Sequence, residues 1–382
     1  MDVDFCTSIN GISADCWNHL LGCDYPFLQH RFLAALENSG SVCEDTGWQP
    51  RHLLLRDNNT PVAALPLYEK HHSWGEYVFD WSWADAYQRL QLPYYPKLLS
   101  AVPFTPATGP RLLMAPGCDT NTIIENMGAA IRDVAEQQEH SGFHLLFPNP
   151  EQDQQLRNLD FLQRRTGTQF HWLNRGYRCF DDFLSGFKAR KRKTVQAERR
   201  KVAEHKLVLE RLTGEQLNHS LWDQFYPLYH RTYLKRSGGT GYLNRDFFER
   251  IGNTMAEQIM VATARDADGS LVAAALFFHD QNTLYGRYWG TAMELDGLHF
   301  ELCYYQGIEY AIEKGLQRFD AGAQGEHKIR RGFEPVETCS YHWLADERFN
   351  HAIADFLAQE TAMNTRYMED AGQYLPYKKI EW

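Results

Sequence analysis

The sequence has no apolar run long enough to cross a bilayer. The longest, Leu271 to Phe278, is strand-sized against the roughly 18–20 residues a helical span requires. The opening Met1-Asp2-Val3-Asp4-Phe5-Cys6 lacks the basic and apolar regions of a secretory signal. Eight cysteines are scattered at 6, 16, 23, 43, 118, 179, 303 and 339, without Cys-x-x-Cys or zinc-like spacing. Without an export signal they read as reduced thiols, which sets the expectation of a cytoplasmic protein with no metal site and no membrane span. Also missing are a Walker loop, a dinucleotide-binding glycine fingerprint, His-Glu-x-x-His and Gly-x-Ser-x-Gly. These absences remove the motif-borne forms of nucleotide hydrolysis, nicotinamide chemistry, zinc proteolysis and serine esterase chemistry. His71-His72 is an isolated pair and reads as a turn feature.

What is present suits two well-filled domains. The chain has 382 residues, 43% hydrophobic and 14% aromatic, too long for one ordinary core and too apolar for disorder. The net charge of −10 argues against a general polyanion binder, but it is unevenly spread. Between Lys188 and Lys206 nine Lys/Arg face only Glu198 and Glu204, a local +7 that leaves −17 for the rest.

An internal repeat organises the chain. Arg56-Asp57-Asn58-Asn59-Thr60-Pro61-Val62-Ala63-Ala64-Leu65-Pro66-Leu67-Tyr68 recurs with one extra residue as Arg265-Asp266-Ala267-Asp268-Gly269-Ser270-Leu271-Val272-Ala273-Ala274-Ala275-Leu276-Phe277-Phe278. Each copy follows a strand-like run (52–55, 259–262), turns in its middle and precedes an aromatic segment (76–81, 283–289) expected to be a third strand. Helical periodicity covers 27–39, 122–140, 217–235, 245–255, 300–314 and 346–369, and buried strands are expected at 143–147, 318–320 and 338–344. The expectation is an α/β fold in tandem, each half a mixed central sheet flanked by helices. The pattern breaks near residue 165, which gives domains 1–165 and 166–382.

Three segments carry candidate chemistry. Gly322-Ala323-Gln324-Gly325-Glu326-His327-Lys328-Ile329-Arg330-Arg331-Gly332 follows a predicted strand, at the kind of strand end where α/β sheets bind ligands. Amide formation needs a base for the acceptor amine and donors for the developing oxyanion. Glu326 and His327 suit the first need; Lys328 and Arg330 suit the second. The basic stretch from Lys188 predicts a helix with a narrow apolar stripe at Val195 and Val202. Its other faces carry Arg190, Arg192, Lys193, Arg199 and Arg200, suited to donor phosphates or to pairing with the chain's own acids. The third segment is aromatic: Asp80, Trp81, Trp83 and Asp85, then Tyr94, Tyr95 and Lys97, then Phe104 and Thr105. Trp81 and Trp83, two apart on an expected strand, share a face, and such planes beside carboxylates suit a sugar, peptide or amine, or simply a core.

Several blocks carry a family resemblance: Gly75-Glu76-Tyr77-Val78-Phe79-Asp80-Trp81, Pro93-Tyr94-Tyr95-Pro96-Lys97-Leu98, Val102-Pro103-Phe104-Thr105-Pro106, His299-Phe300-Glu301 and Gly322-Ala323-Gln324-Gly325-Glu326-His327-Lys328. Over nearly its whole length the chain resembles the FemAB-like predicted N-acyltransferases of bacteria. The resemblance implies tandem GNAT-type domains and kinship to Fem enzymes, which move amino acids from aminoacyl-tRNA onto peptidoglycan precursors. GNAT enzymes that use acetyl-CoA hold its pyrophosphate on an Arg/Gln-x-x-Gly-x-Gly/Ala loop. The corresponding segment here, Gly290 to Glu301, lacks that spacing and carries Glu294, Asp296 and Glu301, which would repel a pyrophosphate.

The expected activity is transfer of an acyl or aminoacyl group to a primary amine of a small-molecule or peptide acceptor. No cofactor would be permanently bound; aminoacyl-tRNA or acyl-CoA would serve as co-substrate, with tRNA a partner in the first case. Glu301, Glu326 and His327 stand as bases, Lys328 and Arg330 as electrophilic groups. Asp80, Trp81, Trp83, Asp85, Tyr94, Tyr95, Lys97, Phe104, Thr105, Tyr285, Arg287, Trp289 and Gln324 would shape the substrate side. The rival from another class is a non-catalytic glycan or peptide recognition protein on the same fold. Donor, acceptor and oligomeric state stay open.

Overall fold

Local signals set most element ends. Asp119 accepts a hydrogen bond from Thr122 N (3.2 Å) and caps a helix whose Ile123, Ile124, Met127, Ile131 and Val134 are all buried. Asn218 and Asn244 cap two later helices in the same way, accepting from Leu221 N and Phe247 N. The computed structural model describes residues 1–323 and 325–378. Its elements run β1 (Asp2–Cys6), α1 (Ala14–Leu21), α2 (His30–Asn38), β2 (Trp48–Pro50), β3 (His52–Asp57), β4 (Thr60–Leu65), β5 (Tyr68–Lys70), α3 (Trp81–Arg89), β6 (Lys97–Ser100), β7 (Leu113–Met114), α4 (Thr120–Gln137), β8 (Gly142–Leu146), α5 (Pro150–Leu156) and β9 (Gln163–Leu173). They continue with α6 (Phe180–Ser185), α7 (Ala189–Glu204), β10 (Val208–Thr213), α8 (His219–Ser237), α9 (Arg245–Thr254), β11 (Ile259–Arg265), β12 (Leu271–His279), β13 (Thr283–Thr291), α10 (Leu298–Phe300), α11 (Gln306–Glu313), β14 (Arg318–Asp320), β15 (Glu334–Leu344) and α12 (Glu347–Gln373).

Two units share the chain: Met1–Gly167 with Glu337–Arg366, and Thr168–Val336 with Tyr367–Trp382. The sequence expectation of 1–165 and 166–382 places the first division two residues earlier and has no counterpart to the return of 337–366. Nothing local announces that return, because it is made inside a strand and inside a helix.

In the first unit β1-β3-β4-β7 form one antiparallel sheet. In a second sheet β8 pairs β6 in parallel and β15 antiparallel, with β5 and β2 beyond β6. Gly142 opens β8 where only glycine fits: an added Cβ would lie 2.1 Å from Trp343 O. α4 and the buried faces of β3, β4, β6 and β8 enclose one core, and Trp83, Tyr87, Tyr94, Ile353 and Leu357 form another.

The expected third strand at 76–81 does not form. Gly75 and Tyr77 both have positive φ (82° and 63°), which no strand tolerates, and the chain turns back to begin α3 at Trp81. The turn draws the carboxylates of Glu76 and Asp80 together on the Lys97 ammonium. Trp81 and Trp83 therefore lie on a helix and not on one face of a strand, with Trp83 buried and Trp81 partly exposed.

In the second unit β10-β11-β12-β13 are antiparallel, β14 joins β13 in parallel, and residues 171–173 of β9 pair β14. Here the hairpin and its third strand are formed as the repeat predicts. The β12–β13 register shifts between Leu276↔Tyr288 and Phe277↔Gly286, which leaves Arg287 as the extra residue of a bulge. β13 pairs β14 only over Thr283–Tyr285; beyond it β13 continues to Thr291 with β12 as its described partner.

Candidate active site

The bulge re-aims Arg287 at Asp320, the last residue of β14. Their side chains form an ion pair (Nη2–Oδ2 2.8 Å), both almost wholly buried. Gly322 N donates to Asp320 Oδ1 (2.8 Å), and His171 on β9 lies 3.7 Å from the same oxygen. Burial alone would raise the Asp320 carboxyl, but Arg287 and then His171 hold it well below the usual range. Burial pushes His171 down to about 4, so its imidazole is neutral at pH 7.

Lys328 completes the cluster. A single 3-10 stretch, Glu326–Arg331, carries it inward between Gly325 and Gly332, both at positive φ. Its side chain is 1% exposed and Nζ donates to Gly322 O (2.7 Å). Burial lowers its ammonium to about 8; Asp320 opposes that shift and Arg287 reinforces it. The result is a cation that a modest change of surroundings would discharge, placed where β13 and β14 part.

The neighbouring groups are sorted by a π-helical turn, Glu301–Tyr305, between α10 and α11. Tyr304 OH is 2.8 Å from His327 Nε2, and the exposed His327 ring also meets His299 and Phe300. Tyr305 OH instead donates to Glu198 on α7, and Glu198 accepts from Arg331 Nη2 (2.7 Å). Arg331 is buried and stacks 3.3 Å from the Phe300 ring centroid.

The structure revises several assignments made from sequence. Glu301 is not with Lys328: Arg199 holds it at 2.8 and 3.0 Å and Gln306 Nε2 donates to it at 2.8 Å, so it is a buried anchor and not a free base. Arg199, which also pairs Glu309 (2.6 Å), is correspondingly unavailable for a phosphate. Arg330 is exposed and makes no hydrogen bond or ion pair with the described residues; the inward arginine is Arg331. Glu326 accepts from Tyr367 OH (2.9 Å) at the surface. Tyr285 OH donates to Asp280, Trp289 packs against His299, and Gln324 lies outside the described residues.

α7 is a helix with Val195 and Val202 buried, as the apolar stripe predicts. Its cations divide into two sets. Arg199 and Lys201 are paired within the unit, whereas Arg190, Arg192, Lys193 and Arg200 have no acid partner among the described residues. Arg190 and Lys193 line an open groove of about 700 Å³ with Thr194, Ala197, Lys201 and Asp296. The repulsion expected from Glu294, Asp296 and Glu301 is also revised, since each carries a cation: Lys235, Lys201 and Arg199. α7 itself covers that segment instead. A Cβ on Gly297 (φ 84°) would lie 3.2 Å from Glu198 O and 3.1 Å from Val202 Cγ2.

In the first unit Asp80, Tyr94, Tyr95 and Lys97 do come together. Lys97 Nζ, fully buried, donates to Glu76 (2.9 Å), Asp80 and Ser73 (3.0 Å); Tyr94 OH donates to Asp80 (2.6 Å) and Ser73 Oγ is 2.8 Å from Tyr95 OH. His144 and His342 continue the network at 2.7 Å, and Trp83 packs on His342. Asp85 is exposed, Phe104 packs on Trp48, and Thr105 Oγ1 donates to Pro103 O, so these three serve structure or solvent. Sequence reasoning missed the roles of Glu76, Ser73, His144, His171, Glu198, Asp320 and His342. Only the strand end at Asp320 carried a local signal.

Residues 8–379 match the family model described as FemAB-like, peptidoglycan biosynthesis/recognition. The chain belongs to the FemAB-like family. No curated protein sequence matches it. Among solved structures this FemAB-like chain is similar to FemX (TM-score 0.52, 11% identity, 93% of this chain and 100% of that one). It is similar also to L-PGS from Bacillus licheniformis (0.50, 10%, 86% and 96%). A third likeness is to the C-terminal domain of a putative lysylphosphatidylglycerol synthetase from Agrobacterium fabrum (0.54, 10%, 92% and 96%). At these identities the likeness shows the fold alone, a mixed α/β architecture of sheets and flanking helices as expected from sequence. No helix among the described residues is long and apolar enough to cross a membrane.

Proposed function

We propose that this FemAB-like protein transfers an acyl or aminoacyl group from an activated donor to a primary amine of a cell-wall or peptide-like acceptor, at the Arg287–Asp320–Lys328 cluster. The observation that carries the reading is Lys328, a buried cation held at about 8 beside the end of β14. At pH 7 its ammonium is mostly charged and donates to a carbonyl oxygen; as attack turns that oxygen anionic the interaction strengthens, which is what lowers a barrier. Asp320, itself held by Arg287, is a positioning residue: it fixes Gly322 N, and the Gly322 carbonyl in turn holds Lys328 Nζ. His327, exposed and steadied by Tyr304, is the group suited to take the proton from the attacking amine. FemAB-like membership supports an acceptor from peptidoglycan synthesis.

Aminoacyl-tRNA is the donor the arrangement favours. The backbone of α7 packs on Gly297, which denies a coenzyme A pyrophosphate the helix start it would use in a GNAT enzyme. The unpaired cations of α7 are spread from 190 to 200, about 15 Å of helix, a spacing suited to successive phosphates of an RNA strand. Native mass spectrometry with coenzyme A and with bulk aminoacyl-tRNA tests this. A tRNA complex that Arg190→Ala/Lys193→Ala weakens would support it, and retained coenzyme A would overturn the donor assignment.

A further inference from the structure

The Lys97 cluster of the first unit holds one acid more than it can use. Glu76 and Asp80 are 4% and 2% exposed, yet each leaves one carboxylate oxygen, Oε1 and Oδ1, without a hydrogen-bond partner. Such orphaned buried acceptors are costly and call for a donor. The facing groups are mostly engaged elsewhere: Lys97 and Tyr94 use the other oxygens, Ser73 bonds Tyr95 while also helping to hold Asp80 ionised, and His144 meets Tyr94 and His342. Lys70, the second lysine nearby, donates to Trp74 O and lies 3.4 Å from both that oxygen and His72 Nδ1, over the Trp48 ring.

The same turn carries three exposed aromatics, Trp74, Phe79 and Trp81. Trp74 and Phe79 are more than half exposed, and Trp81 is over a third exposed; the Trp74 and Trp81 rings lie 4.9 Å apart at 58°. Among aromatic side chains indole faces bind cations best, and beside this segment the Lys97 ammonium already lies near the Tyr94 and Tyr95 rings.

We infer that the 73–81 turn is a recognition site for an organic ammonium group, with Trp74 and Trp81 as its exposed aromatic surface and the under-bonded carboxylates of Glu76 and Asp80, on the same turn, as the buried charge behind it. A sugar would also meet hydroxyl donors to acids and stack on indole, but the uncompensated negative charge favours a cation. In the free protein a proton takes the place of the ligand. Burial raises Glu76 to about 7, with Asp80 adding to the shift and Lys97 opposing it, while Lys70 is lowered by burial to about 6 and so is largely neutral at pH 7. Lys97 stays charged and Asp80 ionised, and His144 and His342 stay neutral, so Glu76 is the group that must ionise. This site names a feature of the acceptor in the transfer reading, but it is tested by binding and stands or falls independently of turnover.

The experiment is titration of ¹⁵N-tryptophan-labelled protein with cadaverine, with 1,5-pentanediol as neutral analogue and chitotriose as sugar, observing the indole signals of Trp74 and Trp81 assigned by substitution. Cadaverine should shift both signals, pentanediol neither. Affinity should fall about fivefold from pH 7 to pH 6 as Glu76 takes its proton. Glu76→Gln should abolish the response, and Trp74→Ala, at an exposed position that leaves the core untouched, should weaken it at least tenfold. Equal shifts with pentanediol, a response to chitotriose alone, or full cadaverine affinity in Trp74→Ala would each overturn the inference.

Discussion

At the scale of single residues, burial has made Lys328 unusual. Lys328 is expected to be essential as a cation. Lys328→Met should cost about 10²–10³ in kcat, the usual loss for an oxyanion donor, while the melting temperature stays within a few degrees. Activity should also decline as pH rises through about 8, where the ammonium discharges. Stability moves the opposite way. A lysine lowered in the folded state binds fewer protons folded than unfolded, so relative to Lys328→Met the parent gains stability between pH 8 and its unfolded value. Denaturant titrations of the two proteins across that range separate the effects. The candidate residues Lys328, His327, Asp80, Tyr94 and Lys97 were legible because they cluster in short glycine- or aromatic-rich blocks. His171 and His342 were not: each reaches its cluster from a strand more than a hundred residues away from its partners, Asp320 and His144.

At the scale of elements, α7 shows how one basic segment is divided between holding the fold and facing solvent. Periodicity revealed the helix and its two buried valines, but pairing is a tertiary fact, so Arg199 and Arg200 could not be told apart from sequence. Glu301→Gln should destabilise the protein by about 3 kcal/mol by leaving Arg199 half-matched beside a buried amide, yet spare kcat per folded molecule. A loss of kcat without loss of stability would restore Glu301 as a base. Gly297→Ala should cost about 1–3 kcal/mol in urea unfolding, because the site combines a positive φ with contact to α7. The aromatic block at 76–81 misled for a related reason. Its composition is that of a strand, but two residues at positive φ and a buried cation to be enclosed outweigh propensity.

At the scale of the whole molecule, the repeat and the α/β pattern were readable because hairpins and amphipathic helices are written locally. The return of 337–366 to the first unit was not, since it depends on which strand β15 finds. If α7 receives RNA, affinity for bulk aminoacyl-tRNA should fall steeply between 50 and 200 mM salt. Arg190→Glu/Lys193→Glu should flatten that dependence, checked by filter binding across the series.

The pairing of β15 with β8 also sets a timetable for synthesis. Residues 142–146 leave the ribosome nearly two hundred residues before 340–344, their partners on one side. At about 5–20 residues per second the edge of β8 waits roughly 10–40 s, while the whole of Thr168–Val336 is made. Through that interval a fully apolar-buried strand has an open flank, the kind of edge that recruits wrong partners. The nascent chain, more than the finished protein, is therefore where this architecture is exposed to misassembly.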